Sequence, residues 1–212
     1  ETISEVGAAG RDYTQTQALH AALTGGIGAS PSVGALAADN QQSRGLFVVS
    51  GKALARNHGA LSKLLHETLH TARFDEFDRL RELVAQIRMG DENSVTGNGH
   101  ALAMAAASAG MTPVARLAHQ WSGLAGIKAI KALDDGLDDP AALAGLAERL
   151  AALRARLAAA PLQFMIVAED EQQPDIAVRL AQVWLETATT PAAGDARLAL
   201  APAGGRVAEA WT

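Results

Sequence analysis

Arg11-Asp12-Tyr13-Thr14-Gln15-Thr16-Gln17-Ala18-Leu19-His20-Ala21-Ala22-Leu23-Thr24-Gly25-Gly26-Ile27 contains a change of period, and that change decides the fold class. Asp12 stands as an N-cap; Tyr13, Ala18, Ala21, Ala22 and Leu23 recur at helical spacings of three and four; the Gly25-Gly26 pair stops the pattern. From Ile27 the spacing becomes that of a strand, with Ile27, Ala29, Val33 and Ala35 on one side. After a polar stretch at 39–43, Leu46-Phe47-Val48-Val49 is rich in β-formers, which predicts a second strand and a hairpin with a long polar connection. A helix that hands over directly to strands, in a chain otherwise rich in helical periods, predicts an α+β fold.

Downstream the period is 3.6 over residues 57–119. Leu61, Leu64, Leu65, Leu69 and Ala72 share one face, and Phe77, Leu80, Leu83, Val84 and Ile87 the next. The stretch 93–100, with Gly97 and Gly99, is expected to interrupt these helices, and 101–109 is almost entirely small residues, so neighbouring backbones can approach it closely. Thr112-Pro113 is an N-cap and N1 pair for a helix to about residue 133, with Leu117, Trp121, Leu124, Ile127 and Ile130 inward. Asp139-Pro140 repeats the device before Leu143, Leu146, Leu150, Leu153 and Leu157. These two helices are expected to pair as a long antiparallel hairpin, with Arg149, Arg154 and Arg156 on a solvated face. Leu162-Gln163-Phe164-Met165-Ile166-Val167 reads as a buried strand, and 174–186 as a helix with Ile176, Leu180, Val183 and Trp184 inward. Residues 187–205 read as a linker and 207–211 as a last strand.

Composition narrows the function classes. The 212 residues are 49% hydrophobic and 19% charged, with no cysteine and a net charge of −5, which fits one globular domain or slightly more. Without cysteine there is no thiolate-ligated zinc, iron–sulfur cluster or thiol nucleophile. With 18 Lys and Arg against 23 Asp and Glu and no basic stripe, no nucleic-acid partner is expected. No apolar run approaches the roughly 18 residues of a membrane span, so no membrane partner is expected either. Glu1-Thr2-Ile3-Ser4 shows neither an initiator Met nor a basic-then-apolar leader, so the chain reads as an excised piece of something longer. An Ala-rich chain without Cys or leader is expected in a bacterial cytoplasm.

One string carries chemistry at face value. His66-Glu67-Thr68-Leu69-His70 matches H-E-x-x-H, in which two imidazoles one helical turn apart bind Zn²⁺ and the Glu serves as general base. A third ligand would have to come from Glu92 or Asp91. The alternative is a solvent-facing helix edge that happens to spell the motif; a shuffled chain of this composition does so roughly 0.01 times, so composition favours zinc. Thr24-Gly25-Gly26-Ile27-Gly28-Ala29-Ser30 is glycine-rich, but it follows a helix and opens a strand, the reverse of a phosphate loop, and reads as a helix stop. His100, at the end of Ser94-Val95-Thr96-Gly97-Asn98-Gly99-His100, reads as a hydrogen-bonded junction residue, and Trp121 and Trp184 as core.

Two segments together carry a specific resemblance. Arg11 to Ala18 running into Thr24-Gly25-Gly26-Ile27, and Ser94-Val95-Thr96-Gly97-Asn98-Gly99-His100 continuing through Ala101-Leu102-Ala103 to Gln120-Trp121-Ser122-Gly123-Leu124, resemble presequence-protease-like zinc metallopeptidases of the insulinase/pitrilysin superfamily. The match spans nearly the whole chain and falls in the C-terminal half of such enzymes, in the third of four related α/β domains. Ala208-Glu209-Ala210-Trp211-Thr212 resembles the linker that enters the fourth.

The resemblance implies a mixed or antiparallel sheet with helices packed on one face, with residues 1–187 as an incomplete domain and 188–212 as linker and leading strand of the next. It implies that the fragment starts after the domain's first strands, leaving an unpaired edge to be covered by a partner copy, by the C-terminal tail, or by nothing. Family members hold catalytic zinc through H-x-x-E-H, which this chain lacks, so the resemblance implies no catalytic residue, metal ligand or cofactor here and zinc in the parent enzyme. Arg11, Asp12, Tyr13, Gly25, Gly26, Gly97, Gly99, His100, Trp121 and Gly123 are then structural signature positions, and His66, Glu67, His70 and Glu92 a decoy. The implied role is a non-catalytic wall of a closed chamber that degrades unfolded peptides, its partners being the other domains of the same polypeptide and those peptides. A self-contained peptidase using His66, Glu67 and His70, and a binding module using the 141–160 helix, are the competing readings.

Overall fold

A computed structural model describes residues 2–185 and, for the backbone alone, Arg197–Leu198. The described elements run α1 (Tyr13–Leu23), β1 (Ile27–Leu36), β2 (Asp39–Gly51), α2 (His58–Thr71), α3 (Phe77–Gly97), α4 (Gly99–Ser108), α5 (Pro113–Ser122), α6 (Leu124–Gly136), α7 (Pro140–Ala158), α8 (Gln173–Leu185) and β3 (Arg197–Leu198). Helices and an antiparallel sheet in the order β1-β2-β3 make the fold α+β, as the period change at Gly25-Gly26 requires. The linker and strand expected at 188–212 and 207–211 lie outside the described residues apart from Arg197–Leu198, which pairs antiparallel with β2, Leu198 opposite Ser43.

The chain divides into two compact units. Among the described residues the first comprises 2–31, 47–80 and 144–185, and the second 32–46, 81–143 and 197–198.

In the first unit a short 3-10 turn at Thr2–Ser4 puts Ile3 into the core beside Val6 and Ala8. Asp12 caps α1, accepting from the Gln15 N–H at 2.8 Å while the Gln15 side chain accepts from the Asp12 N–H at 3.3 Å. Gly7 is sterically obligatory, because a Cβ there would lie 2.4 Å from the Arg11 carbonyl oxygen and 2.6 Å from the Glu76 carboxylate. Glu76 accepts from the backbone N–H of both Gly7 and Tyr13 at 3.1 Å, so one carboxylate pins the N-terminal segment to the start of α1. Ala8 bridges to Ala72 after α2, and the Arg73 N–H donates to the Gly7 carbonyl at 2.8 Å. Leu64, Leu69, Phe74, Leu80, Ala147 and Trp184 complete the core, with α2 packed on α8.

The second unit is built on close helix approach. Leu83, Val84, Leu102, Ala109, Ile127, Leu137 and Leu143 form its core, together with the buried imidazole of His119. α5 packs on α4 and on α6. Arg88 ties α3 to α6 by donating to Asp134 at 2.8 Å and Asp135 at 2.7 Å, and to Glu92 on its own helix at 3.1 Å.

Several expectations are corrected. The hairpin connection is a two-residue turn at Ala37-Ala38, because the polar residues 39–43 belong to β2 and are mostly exposed. Helix α3 continues through 94–96 to Gly97, so the interruption is confined to Asn98. The helix expected over 113–133 breaks at Gly123, whose extended backbone (φ −88°, ψ −172°) turns the chain between α5 and α6. Trp121 is 51% exposed, not core, and the side chain buried from that helix is His119. Leu153 is also exposed, and Ala147 takes the buried position on α7. Arg154 is not on a solvated face: it donates to the His70 carbonyl oxygen. Residues 162–167 form no strand and are not buried, since none of the described strands pairs with them.

Candidate functional site

The H-E-x-x-H string lies on α2, where Ser62, Leu64, Thr68 and Leu69 form the buried face. Thr68 completes that face by donating its hydroxyl to the Leu64 carbonyl at 2.8 Å. His66 and His70, one turn apart, are half-buried, and their rings stack with centroids 4.2 Å apart and planes inclined by 25°. Trp184 of α8 lies edge-on to both, at 5.1 Å from His66 and 5.8 Å from His70, and Phe164 lies edge-on to Trp184 at 5.3 Å. Burial holds the pKa of each imidazole below the ordinary 6.5; nearby Glu67 opposes this at His66, and the charges of His66 and Arg154 reinforce it at His70.

Glu67 points into another interaction. Its carboxylate pairs with the Arg11 guanidinium, with Lys63 3.9 Å away, so the group a peptidase would need as general base is held by cations. Nor do the two imidazoles converge as ligands do: a metal lies in the plane of each ring on a nitrogen lone pair, and parallel stacking faces the rings at each other instead. Glu92, the expected third ligand, sits on α3 and accepts from Arg88. Among the described residues no group of three or more His, Asp or Glu side chains is placed to hold a metal ion. The residues present therefore do not fit zinc, and what they build is an aromatic seam joining α2, α8 and Phe164.

The remaining sequence-selected positions have local roles. Arg11 joins Glu67, Asp12 caps α1, and the Tyr13 ring carries the Arg79 guanidinium 4.7 Å from its centroid. The Gly25 N–H donates to the Lys52 carbonyl at 2.7 Å, and Gly26, at φ +124°, turns the chain into β1 in a conformation that favours glycine. Gly97 and Gly99 flank Asn98 between α3 and α4, and His100 is exposed at the start of α4. Gly123 has no room for a side chain, since a Cβ would lie 2.6 Å from both the Nδ1 and the carbonyl oxygen of His119. A cleft of about 470 Å³ between Ala21–Gly25 and Lys52–Asn57 contains Lys52 and Arg56 but no carboxylate or imidazole that could serve as acid or base. Sequence reading missed Gly7, Glu76 and His119; the contacts that single them out are long-range or at a chain reversal, and only an obligatory glycine between small residues hinted at the first.

Residues 1–133 match the family described as associated with peptidases of class M (metallopeptidases), family 16, subfamily C. The chain belongs to this family. As a member it is 29% identical over 136 residues to the mitochondrial presequence protease of Danio rerio, covering 64% of this chain and 13% of that protein. It is 24% identical over 139 residues to presequence protease 1, chloroplastic/mitochondrial, of Arabidopsis thaliana, covering 66% of this chain and 13% of the relative. Against the mitochondrial presequence protease of Candida albicans the identity is 28% over 120 residues, or 55% of this chain and 12% of the relative. The chain thus spans about an eighth of the length of the curated relatives it matches. These relatives bear out the resemblance to presequence proteases read from Arg11 to Leu124. They correct the expected bacterial cytoplasm, because the named relatives are mitochondrial or chloroplastic/mitochondrial proteins.

Proposed function

We propose that this chain is a non-catalytic, chamber-forming domain of a zinc-dependent metalloendopeptidase that degrades unfolded peptides. Residues 1–187 would form most of one domain in the C-terminal half, and 188–212 the linker and leading strand of the next. The observation that carries the reading is the combination of membership in this peptidase-associated family with a H-E-x-x-H string whose Glu67 is paired to Arg11 and whose imidazoles stack against each other. Zinc, the general base and the partner domains then belong to other parts of the polypeptide. This chain's own residues supply a rigid wall: the Glu76 clamp, the α2–α8 seam, and the Arg88 network fix where its surfaces stand.

Hydrolysis of an unfolded peptide tests the proposal. In the longer polypeptide, Glu67→Gln and the His66→Ala/His70→Ala pair should retain turnover within about twofold, and the 212-residue chain alone should be inert. Cleavage by the chain alone that vanishes in Glu67→Gln would overturn it.

A further inference from the structure

Residues 161–167 are the unexplained part of the first unit. Leu162-Gln163-Phe164-Met165-Ile166-Val167 has the composition of a strand covered on both faces, a near-continuous apolar run rather than an alternating one. It lies between α7 and α8 without belonging to any helix or to the ladder β1-β2-β3. Phe164 rests on Trp184, yet Met165 and Val167 are each 88% exposed. A strand sequence held with its apolar side chains in water is unfavourable, at about 25 cal/mol for each Å² that burial would remove. Exposed strand-like segments without a ladder are the sites at which another chain segment adds. The sheet of this chain is itself small for independent stability, with β1 paired on one side only among the described residues.

We propose that residues 161–167 are an acceptor edge for a β-strand contributed by another part of the same, longer polypeptide, which completes the sheet and covers Met165 and Val167. The length outside this chain supports that occupant, since the matched region is only 12–13% of each relative, and an intramolecular strand needs no second copy to reach it. Main-chain hydrogen bonds from 162–167 would fix the register, and the two exposed side chains would be buried by whatever lies on the outer face. The inference rests on the proposal that the chain is one domain of a longer peptidase.

Hydrogen exchange on the peptide spanning 161–168 decides it. In the intact longer polypeptide the amides of 162–167 should exchange on the order of 10³-fold more slowly than in the 212-residue chain. Met165→Asp and Val167→Asp should abolish that protection while leaving the unfolding midpoint of the 212-residue chain unchanged. Equal, rapid exchange in both proteins would overturn the proposal. So would protection in the 212-residue chain that grows with its concentration, which would assign the edge to a second copy, or protection seen only after an unfolded peptide is added, which would assign it to substrate. Peptide hydrolysis measured on the same longer polypeptide keeps the two proposals separable, because an active enzyme with an unprotected 162–167 fails the strand proposal alone.

Discussion

Replacing Glu67 by Ala removes the partner of Arg11 and tests whether this glutamate holds structure. The side chains of Glu67 and Arg11 are 13% and 29% exposed, so the pair lies between a surface ion pair, worth about 0–1 kcal/mol, and a fully buried one, whose breaking costs about 3–5 kcal/mol. Lys63, 72% exposed and 3.9 Å away, adds little. A charge-assisted hydrogen bond in this intermediate setting contributes about 1.5–2.5 kcal/mol. Glu67→Ala should therefore lower Tm by about 3–10 °C for a chain of this size. In a double-mutant cycle with Arg11→Met, followed by urea unfolding, the coupling should be about 1–2 kcal/mol with m unchanged. Additivity within about 0.5 kcal/mol would refute the argument, since the two side chains would then not be acting on each other.

Three further outcomes follow from the same structure. His66 and His70 are held neutral by burial, so the unfolded chain binds protons that the folded chain does not; stability should be complete above the ordinary imidazole value and fall as pH drops from about 7 to about 5.5. Urea midpoints across that range should show the loss, and His70→Phe, which keeps an aromatic ring beside Trp184, should flatten it. Gly123→Ala places a Cβ 2.6 Å from His119 and should cost about 1–3 kcal/mol, measured by thermal unfolding, whereas Gly136→Ala, with open space around it, should not destabilise. Leu80→Ala, at a side chain 1% exposed, should cost about 2–5 kcal/mol in the same assay.

Where the sequence was legible, the signal was local. The α1 cap, the stop at Gly25-Gly26, the extent of β1 and the inward face of α8 through Trp184 all follow from neighbours within one or two turns. The break at Gly123 was not legible, because a lone glycine in a helical pattern is usually tolerated; here the breaking force is the buried His119 packed against it, a contact that period counting does not contain. Trp121 was misplaced for the same reason, since its phase was counted through a helix that turns two residues later. The 162–167 run was read as buried from its composition, and the described residues do not supply the cover that composition demands. At the candidate site the sequence displayed H-E-x-x-H but not the Arg11 that occupies Glu67, because that partner is 56 residues away.

Zinc content per polypeptide tests the central claim most directly. Elemental analysis of the longer protein, purified without added metal, should give the same zinc stoichiometry for the unmodified protein and for the His66→Ala/His70→Ala variant, because neither imidazole ligates metal. Loss of one zinc per chain in that variant, accompanied by loss of peptide hydrolysis, would contradict the account and make α2 the catalytic element.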